Sequence, residues 1–353
     1  MDIYVFDTAF DMVGIVDSYT SLIWTTRYYA PGDFELYLPA TDAMISLLQE
    51  DYYLCRADDI DGDTYRNVMV IETVNPKTDV EDGNSLTVTG RCLKSILSRR
   101  IIWNQTSING KLELGIRKIL TENVIAPAVS ERAISNFTLG ESKGFTDRIE
   151  IQATGDEIAA FLQEVCTPCE MGWDVWVRGH AFVFELYKGT DRSYDQTTNP
   201  YVVFSPEYDN LIRSDYARSK AKYKNTALVA GEGEGIDRRR EVVGAYSGLQ
   251  RYEVYVDARD ISSNEGEIAD EQYKAMLSEK GAEKLSELGA TERFEGEIEV
   301  SSNYILGKDY FLGDVVAVIN EYGIEASPRI VEIIDADDDT GRSIIPTFST
   351  WEV

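Results

Sequence analysis

Period-two alternation of apolar and polar residues recurs along this chain and commits much of it to half-buried β-strands. Phe34-Glu35-Leu36-Tyr37-Leu38, Ser85-Leu86-Thr87-Val88-Thr89, Arg251-Tyr252-Glu253-Val254-Tyr255-Val256 and Phe294-Glu295-Gly296-Glu297-Ile298-Glu299-Val300 each place every second side chain on one face. That is the register of a strand with one buried side. Val68-Met69-Val70-Ile71 is an unbroken apolar run, the form of a strand covered on both faces. Val315-Val316-Ala317-Val318-Ile319 and Arg329-Ile330-Val331-Glu332-Ile333-Ile334 predict two closing strands. Helical spacing is confined to shorter stretches. Thr41 to Leu48 opens on a capping residue and predicts a short helix, and Gly90 to Leu97 turns from strand into another. Leu112, Ile116, Ile119, Leu120 and Val124 mark a helical face that ends before Pro127. Ile158, Leu162, Val165 and Cys166 mark a second, and Tyr273, Met276, Leu277, Leu285 and Leu288 the inner side of a third.

At 353 residues the chain exceeds one ordinary core, since domains hold roughly 100–200 residues. Strand-rich ends enclose a mixed middle, which predicts an α+β, β-rich fold in three parts. These are a strand-rich domain over 1–103, an inserted α/β lobe over 104–204, and a second strand-rich domain over 205–353 with a helical insertion near 265–290. Gly32-Asp33 and Gly313-Asp314 both stand at a strand entry, an echo between the two ends.

Charge excludes whole classes of function. Thirty-four Lys and Arg against 62 Asp and Glu leave a net charge of −28, so a polyanion is repelled rather than gripped. An anionic membrane surface is disfavoured for the same reason. The apolar fraction of 43% fills cores and separates the chain from acidic disordered sequences. The longest apolar runs fall far short of the roughly 20 residues that span a bilayer. Met1-Asp2-Ile3-Tyr4 lacks the basic start of an export signal, so synthesis as a cytoplasmic soluble chain is expected.

The motifs that suggest chemistry mostly dissolve on inspection. Cys166-Thr167-Pro168-Cys169 has the form of a redox dithiol, but such a pair works at a helix N-terminus, and here it falls where a helix ends. Buried thiols are the preferred reading; Cys55 and Cys92 stand apart and complete no zinc site. His180 is the single histidine and sits with Gly179 between two alternating segments, the pattern of a hairpin turn; histidine triads and multi-histidine metal sites are nearly excluded. Gly231-Glu232-Gly233-Glu234-Gly235 suggests a phosphate loop, yet a strand-like run follows it where a helix is needed. Asp59-Ile60-Asp61-Gly62-Asp63 and Asp335-Ala336-Asp337-Asp338-Asp339 fail the spacing of a calcium loop and read as solvated turns. Sixty-two acids contain many carboxylate pairs without locating a hydrolytic one.

Two sets of residues suggest surfaces rather than chemistry. Trp24, Arg27, Tyr28 and Tyr29 form an aromatic–basic cluster of the composition that dominates interfaces, and Arg251 with Tyr252 repeats it. A strand packing aromatics into its own core is the alternative for the first. Glu295, Glu297 and Glu299 project to one side of one strand. Three like charges so placed must be solvated, and they are candidates to line a water-filled channel.

Taken together, the segments resemble a known family. Gly14-Ile15-Val16-Asp17-Ser18-Tyr19, Ser21-Leu22-Ile23-Trp24-Thr25 and Gly32-Asp33-Phe34-Glu35-Leu36 are similar to the start of the siphovirus tail-hub, or baseplate-hub, proteins. So are Gly90-Arg91-Cys92-Leu93, Tyr187-Lys188-Gly189-Thr190-Asp191-Arg192-Ser193, Gly248-Leu249-Gln250-Arg251-Tyr252-Glu253 and Asp309-Tyr310-Phe311-Leu312-Gly313-Asp314-Val315-Val316. The resemblance implies two barrel-like β domains per chain and a homotrimer whose six similar domains ring a channel. It implies a distal tail protein and the tail tube as partners above, and tip, spike or receptor-binding proteins below. The tape-measure protein would lie in the channel, and DNA would pass without being bound. No catalytic residue, cofactor or metal is implied, and the expected location is the distal end of a virion tail. Many such proteins continue into a long C-terminal region that this sequence lacks, so wall degradation is assigned to partners. The competing readings are a tail-tip wall hydrolase and a saccharide- or receptor-binding module that uses Trp173, Trp176 and tyrosines as stacking platforms.

Overall fold

The computed structural model describes residues 1–79, 83–259, 261–263, 268–298, 303–349 and 351–352. It is α+β and β-rich, and it divides into two units, Met1–Ser214 with Gly296–Phe348, and Asp215–Glu295 with Ser349–Val353.

The first unit is organised by a long antiparallel sheet. Its strands run in the spatial order Gly341–Phe348, Ile330–Asp338, Ser21–Arg27, Asp33–Pro39, Gly83–Cys92, Met69–Asp79, Tyr53–Arg56, Ile3–Phe6 and Met12–Val16. The order joins the two ends of the sequence, pairing Trp24 with Asp335 on one side and Phe34 on the other. Alternation decides which side chains go inside: Phe34, Leu36 and Leu38 are buried while Glu35 and Tyr37 are exposed. Among the described residues the sheets are open paths, and none closes into a barrel.

Two cores explain the unbroken apolar run at Val68–Ile71. Met69 and Ile71 pack with Trp24, Leu36 and Val88 on one face, whereas Val68 and Val70 pack with the middle of the chain on the other. That second core is built around two helices. Leu112–Leu120, prolonged by a wider turn over Thr121–Ile125, buries Leu112, Ile116, Ile119, Leu120 and Val124. Ile158–Cys166 buries Ile158, Phe161, Leu162 and Val165. The hairpin of Gly172–Arg178 and Ala181–Tyr187 closes this core. It turns at Gly179 with φ +56°, and the ring of His180 beside it lies 3.0 Å from the Ala9 carbonyl oxygen.

The short helix Asp42–Leu47 is capped by the Thr41 hydroxyl, which accepts from the Met44 N–H. Gly83–Cys92 runs into a 3₁₀ helix, Leu93–Arg99.

The second unit packs the helix Asp270–Ser286 on a three-stranded sheet ordered Arg240–Val243, Thr226–Ala230, Glu253–Asp257. Its core is Ala227, Val229, Val256, Ala258, Tyr273 and Leu277. The glycine-rich segment after Ala230 leads through a turn at Gly235–Asp237 into a strand. The segment lies against the first turn of Asp270–Ser286, its Glu232 N–H donating to the Tyr273 hydroxyl at 2.8 Å, and it connects the antiparallel strands Thr226–Ala230 and Arg240–Val243 as a hairpin.

Candidate functional site

The Trp24–Tyr29 cluster divides by accessibility. Trp24 is 1% exposed and Tyr28 fully buried, while Arg27 and Tyr29 are half-buried. Trp24 donates its indole N–H to the Asn67 carbonyl at 3.2 Å and lies under the Arg56 guanidinium, 5.3 Å from the ring centre. Arg27 is held by Asp33 and Glu332, each at 2.5 Å. Tyr28 is a junction of distant segments. Its hydroxyl accepts from the Gly189 N–H at 3.1 Å and reaches the Glu170 and Tyr187 carbonyls at 3.2 Å. A Cβ on Gly172 or Gly313 would come within 2.1 or 2.3 Å of its ring. Tyr29 stacks edge-on against Tyr28, ring centres 4.8 Å apart, and burial pushes its phenol up to about 12.

A cavity of about 700 Å³ opens in this unit, lined among others by Trp24, Arg27, Arg56, Lys94, Asp335 and Tyr187. Its charged groups are already satisfied by the protein. Lys94 is buried and donates to the carbonyls of Arg27, Tyr28 and Ala30 at 2.5, 3.3 and 3.4 Å, and burial lowers its pKa. Arg56 sits between Asp59 at 2.7 Å and Asp335 at 2.5 Å, with Arg342 completing the cluster at 2.7 Å from Asp335. Burial pushes the Asp335 carboxyl up, but the hydrogen bonds and charges of Arg342 and Arg56 outweigh it and hold the group below the usual carboxylate value. Asp335 is therefore not part of a solvated turn: the strand continues to Asp338, and the arginines take the carboxylate inside. Among the described residues no group of three or more His, Cys, Asp and Glu is arranged to hold a metal ion.

Several motifs settle into structural roles. Cys55, Cys92 and Cys166 are buried free thiols and Cys169 is half-buried; burial pushes the Cys166 thiol up to about 12, the reverse of a reactive cysteine. Trp173 and Trp176 do not serve as stacking platforms. Trp173 is fully buried and donates to the Tyr29 carbonyl at 2.7 Å, and Trp176 is enclosed by Arg66 and Arg178, 4.1 and 4.9 Å from its ring centre.

Arg251 and Tyr252 lie in the second unit. Tyr252 is 40% exposed and Arg251 half-buried, the latter bonded to Glu253 at 2.6 Å and to the Tyr246 carbonyl at 3.0 Å. Beside them, the sheet face away from the helix carries a cross-strand row. Val242 pairs with Leu228 and Leu228 with Tyr255, and all three are exposed. Nothing in the sequence order announces this row, because it depends on a parallel pairing of Thr226–Ala230 with Glu253–Asp257. The side chains of Glu295 and Glu297, and all of Glu299, lie outside the described residues.

Residues 2–349 match the model of a family described as Siphovirus ReqiPepy6 Gp37-like protein. No curated protein matches the chain. Among solved structures, the fold is similar to the 43 kDa tail protein of prophage MuSo2 from Shewanella oneidensis, with a TM-score of 0.60 and 16% identity over 99% of this chain and 98% of that one. The tail protein from Neisseria meningitidis MC58 gives 0.58 and 14% over 98% and 95%. Prophage tail protein gp18 from Listeria monocytogenes EGD-e gives 0.53 and 12% over 98% and 94%.

Proposed function

The chain belongs to the Siphovirus ReqiPepy6 Gp37-like protein family and is a structural protein of a phage tail, and on that premise we propose that it is the hub of the tail tip. Three copies close a ring around the tail axis, join a six-fold tube above to a three-fold tip below, and gate the channel through which DNA leaves. The division into two barrel-like domains with a lobe over 104–204 belongs to the same proposal. So do the tube and distal tail protein as upper partners, the tip proteins as lower ones, and the tape-measure protein within the lumen. The work is mechanical rather than catalytic.

The observation that carries this reading is the end-to-end family match. It leaves almost no sequence to a separate catalytic module within the 353 residues. The sheet also ends in an apolar edge: Met12, Val13 and Ile15 on the terminal strand Met12–Val16 are 57, 46 and 41% exposed. Isolated proteins blunt such edges with charge or proline, whereas a ring component can continue its sheet into a neighbour. Imaging of the intact particle tests the proposal. Three copies around the axis at the distal end are expected; any other copy number, or a position off the axis, overturns it. Zymography on bacterial walls separates the hydrolase alternative, since a hub clears nothing.

A further inference from the structure

The cavity of the first unit keeps hydrogen-bonding capacity that its ion pairs do not use. It lies among the long sheet, the hairpin of Gly172–Arg178 and Ala181–Tyr187, and residues 304–314. Six basic and six acidic residues line it, and each basic group is already held, by a carboxylate or, for Lys94, by backbone carbonyls. Three other groups are left with open valences. Glu185 and Tyr187 alternate onto one face of their strand, and Asp174 stands opposite Glu185 on the same face. Asp174 accepts from the Val175 N–H at 2.8 Å and otherwise meets only Arg66, at 3.8 Å, which is beyond hydrogen-bond range. Tyr187 and Tyr310 both line the cavity, and neither hydroxyl has a hydrogen bond among the described residues, although Tyr310 is only 1% exposed. Burial pushes both phenols up, so each stays a neutral O–H that can donate and accept. An enclosed polar group without a partner is destabilising, and three of them around one space mark a place for something that bonds them.

We propose that this cavity is a binding site for a short neutral saccharide. Its size, about 700 Å³, falls in the range of about 300–1,000 Å³ that encloses small ligands. Charge narrows the class. With every basic group held and the two signs equal in number, no cation is left for a phosphate or carboxylate, so an anionic ligand gains nothing. An apolar ligand would leave the two phenols and the Asp174 carboxylate unbonded, at a cost in affinity. A neutral molecule rich in hydroxyls meets all three, because each hydroxyl donates to a carboxylate and both donates to and accepts from a phenol. Phe311 lines the same cavity and is 45% exposed, which puts an aromatic ring at its mouth, where the C–H face of a sugar packs. The site lies within one copy of the chain and goes beyond the hub reading without depending on it.

The test probes a glycan array with the full chain, the array carrying neutral, sialylated and sulfated oligosaccharides. Retention on neutral glycans is expected; retention on acidic ones alone, or on none, overturns the proposal. Tyr187→Phe and Tyr310→Phe then locate the site, since each removes one hydroxyl and nothing else. Each is expected to weaken binding of the retained glycan about two- to tenfold, the worth of one hydrogen bond. Wild-type affinity in both variants overturns the assignment to this cavity. Folding gives a control that the same variants supply: a hydroxyl that bonds nothing in the chain can be removed without lowering the thermal midpoint, and a lowered midpoint in both would show that the phenols serve the fold instead. Imaging of the particle reports on the ring and the array on the cavity, so either reading can fail while the other stands.

Discussion

At the scale of single residues, stability concentrates where distant segments share one buried group. Asp335 is the clearest case, because Arg56 is only 8% exposed and relies on Asp335 and Asp59 for its counter-charge. Asp335→Asn leaves that guanidinium under-compensated, and removing one partner of a buried pair costs about 3–5 kcal/mol; chemical denaturation should show a loss of that order. The folded carboxyl titrates below its unfolded value of about 3.9, so its stabilisation is full above that pH and fades as pH falls through the folded value. Acid titration of stability should therefore be less steep below about pH 4 in the Asn variant. An identical acid limb in both proteins would rule the mechanism out. Tyr28 is the second case. Gly313 has φ +95° and faces the tyrosine ring, so Gly313→Ala adds both backbone strain and a clash, with an expected loss above about 1 kcal/mol. Tyr28→Phe leaves the Gly189 N–H without its acceptor and should cost about 1–3 kcal/mol.

At the scale of elements, periodicity was a good guide wherever one core decides burial. The face Leu112, Ile116, Ile119, Leu120 and Val124 is the face that the helix buries. Ile116→Ala should cost about 2–5 kcal/mol, measurable as a lowered denaturation midpoint with the slope unchanged. The strands at Phe34–Leu38 and Ser85–Thr89 alternate as written because each has one wet side. Long-range pairing is what local pattern cannot carry. Asp335–Asp339 reads as a solvated acidic turn because Arg56, which draws its first residue inside, lies 279 positions away. The sequence leaves Tyr28 open between an interface and the strand's own core because Gly172, Gly189 and Gly313, which enclose it, are scattered through the chain. The two Gly-Asp dipeptides both precede strands, yet Gly313 has a positive φ and Gly32 does not, and Asp314 is buried on Arg192 whereas Asp33 is half-exposed on Arg27. Shared letters here mark shared position, not shared conformation. The edge strand Met12–Val16 is not announced by local pattern; its exposure follows from standing last in the sheet. Met12→Lys with Val13→Lys should leave the thermal midpoint within a degree or two and lower ring assembly, read as trimer yield in sedimentation.

At the scale of the whole molecule, net charge couples the ring to what passes through it. The hub proposal assigns Glu295, Glu297 and Glu299 to part of the lumen lining, where they would supply a wall that does not hold DNA. A lysine in such a wall displaces counterions from the phosphates it meets, and that gain weakens steeply with salt. A carboxylate offers no such gain and keeps the backbone about a Debye length, roughly 10 Å at 0.1 M salt, from the surface. Replacing all three with lysine in each copy should therefore slow DNA ejection, most at low ionic strength and progressively less as salt is raised from about 50 to 200 mM. Replacing them with glutamine removes repulsion without adding attraction and should have a much smaller effect. Ejection that proceeds at the wild-type rate in the lysine variant at low salt would place these residues away from the lumen. A slowing that salt does not relieve would point to a damaged gate, because attraction to phosphate is screened by added ions and a steric block is not.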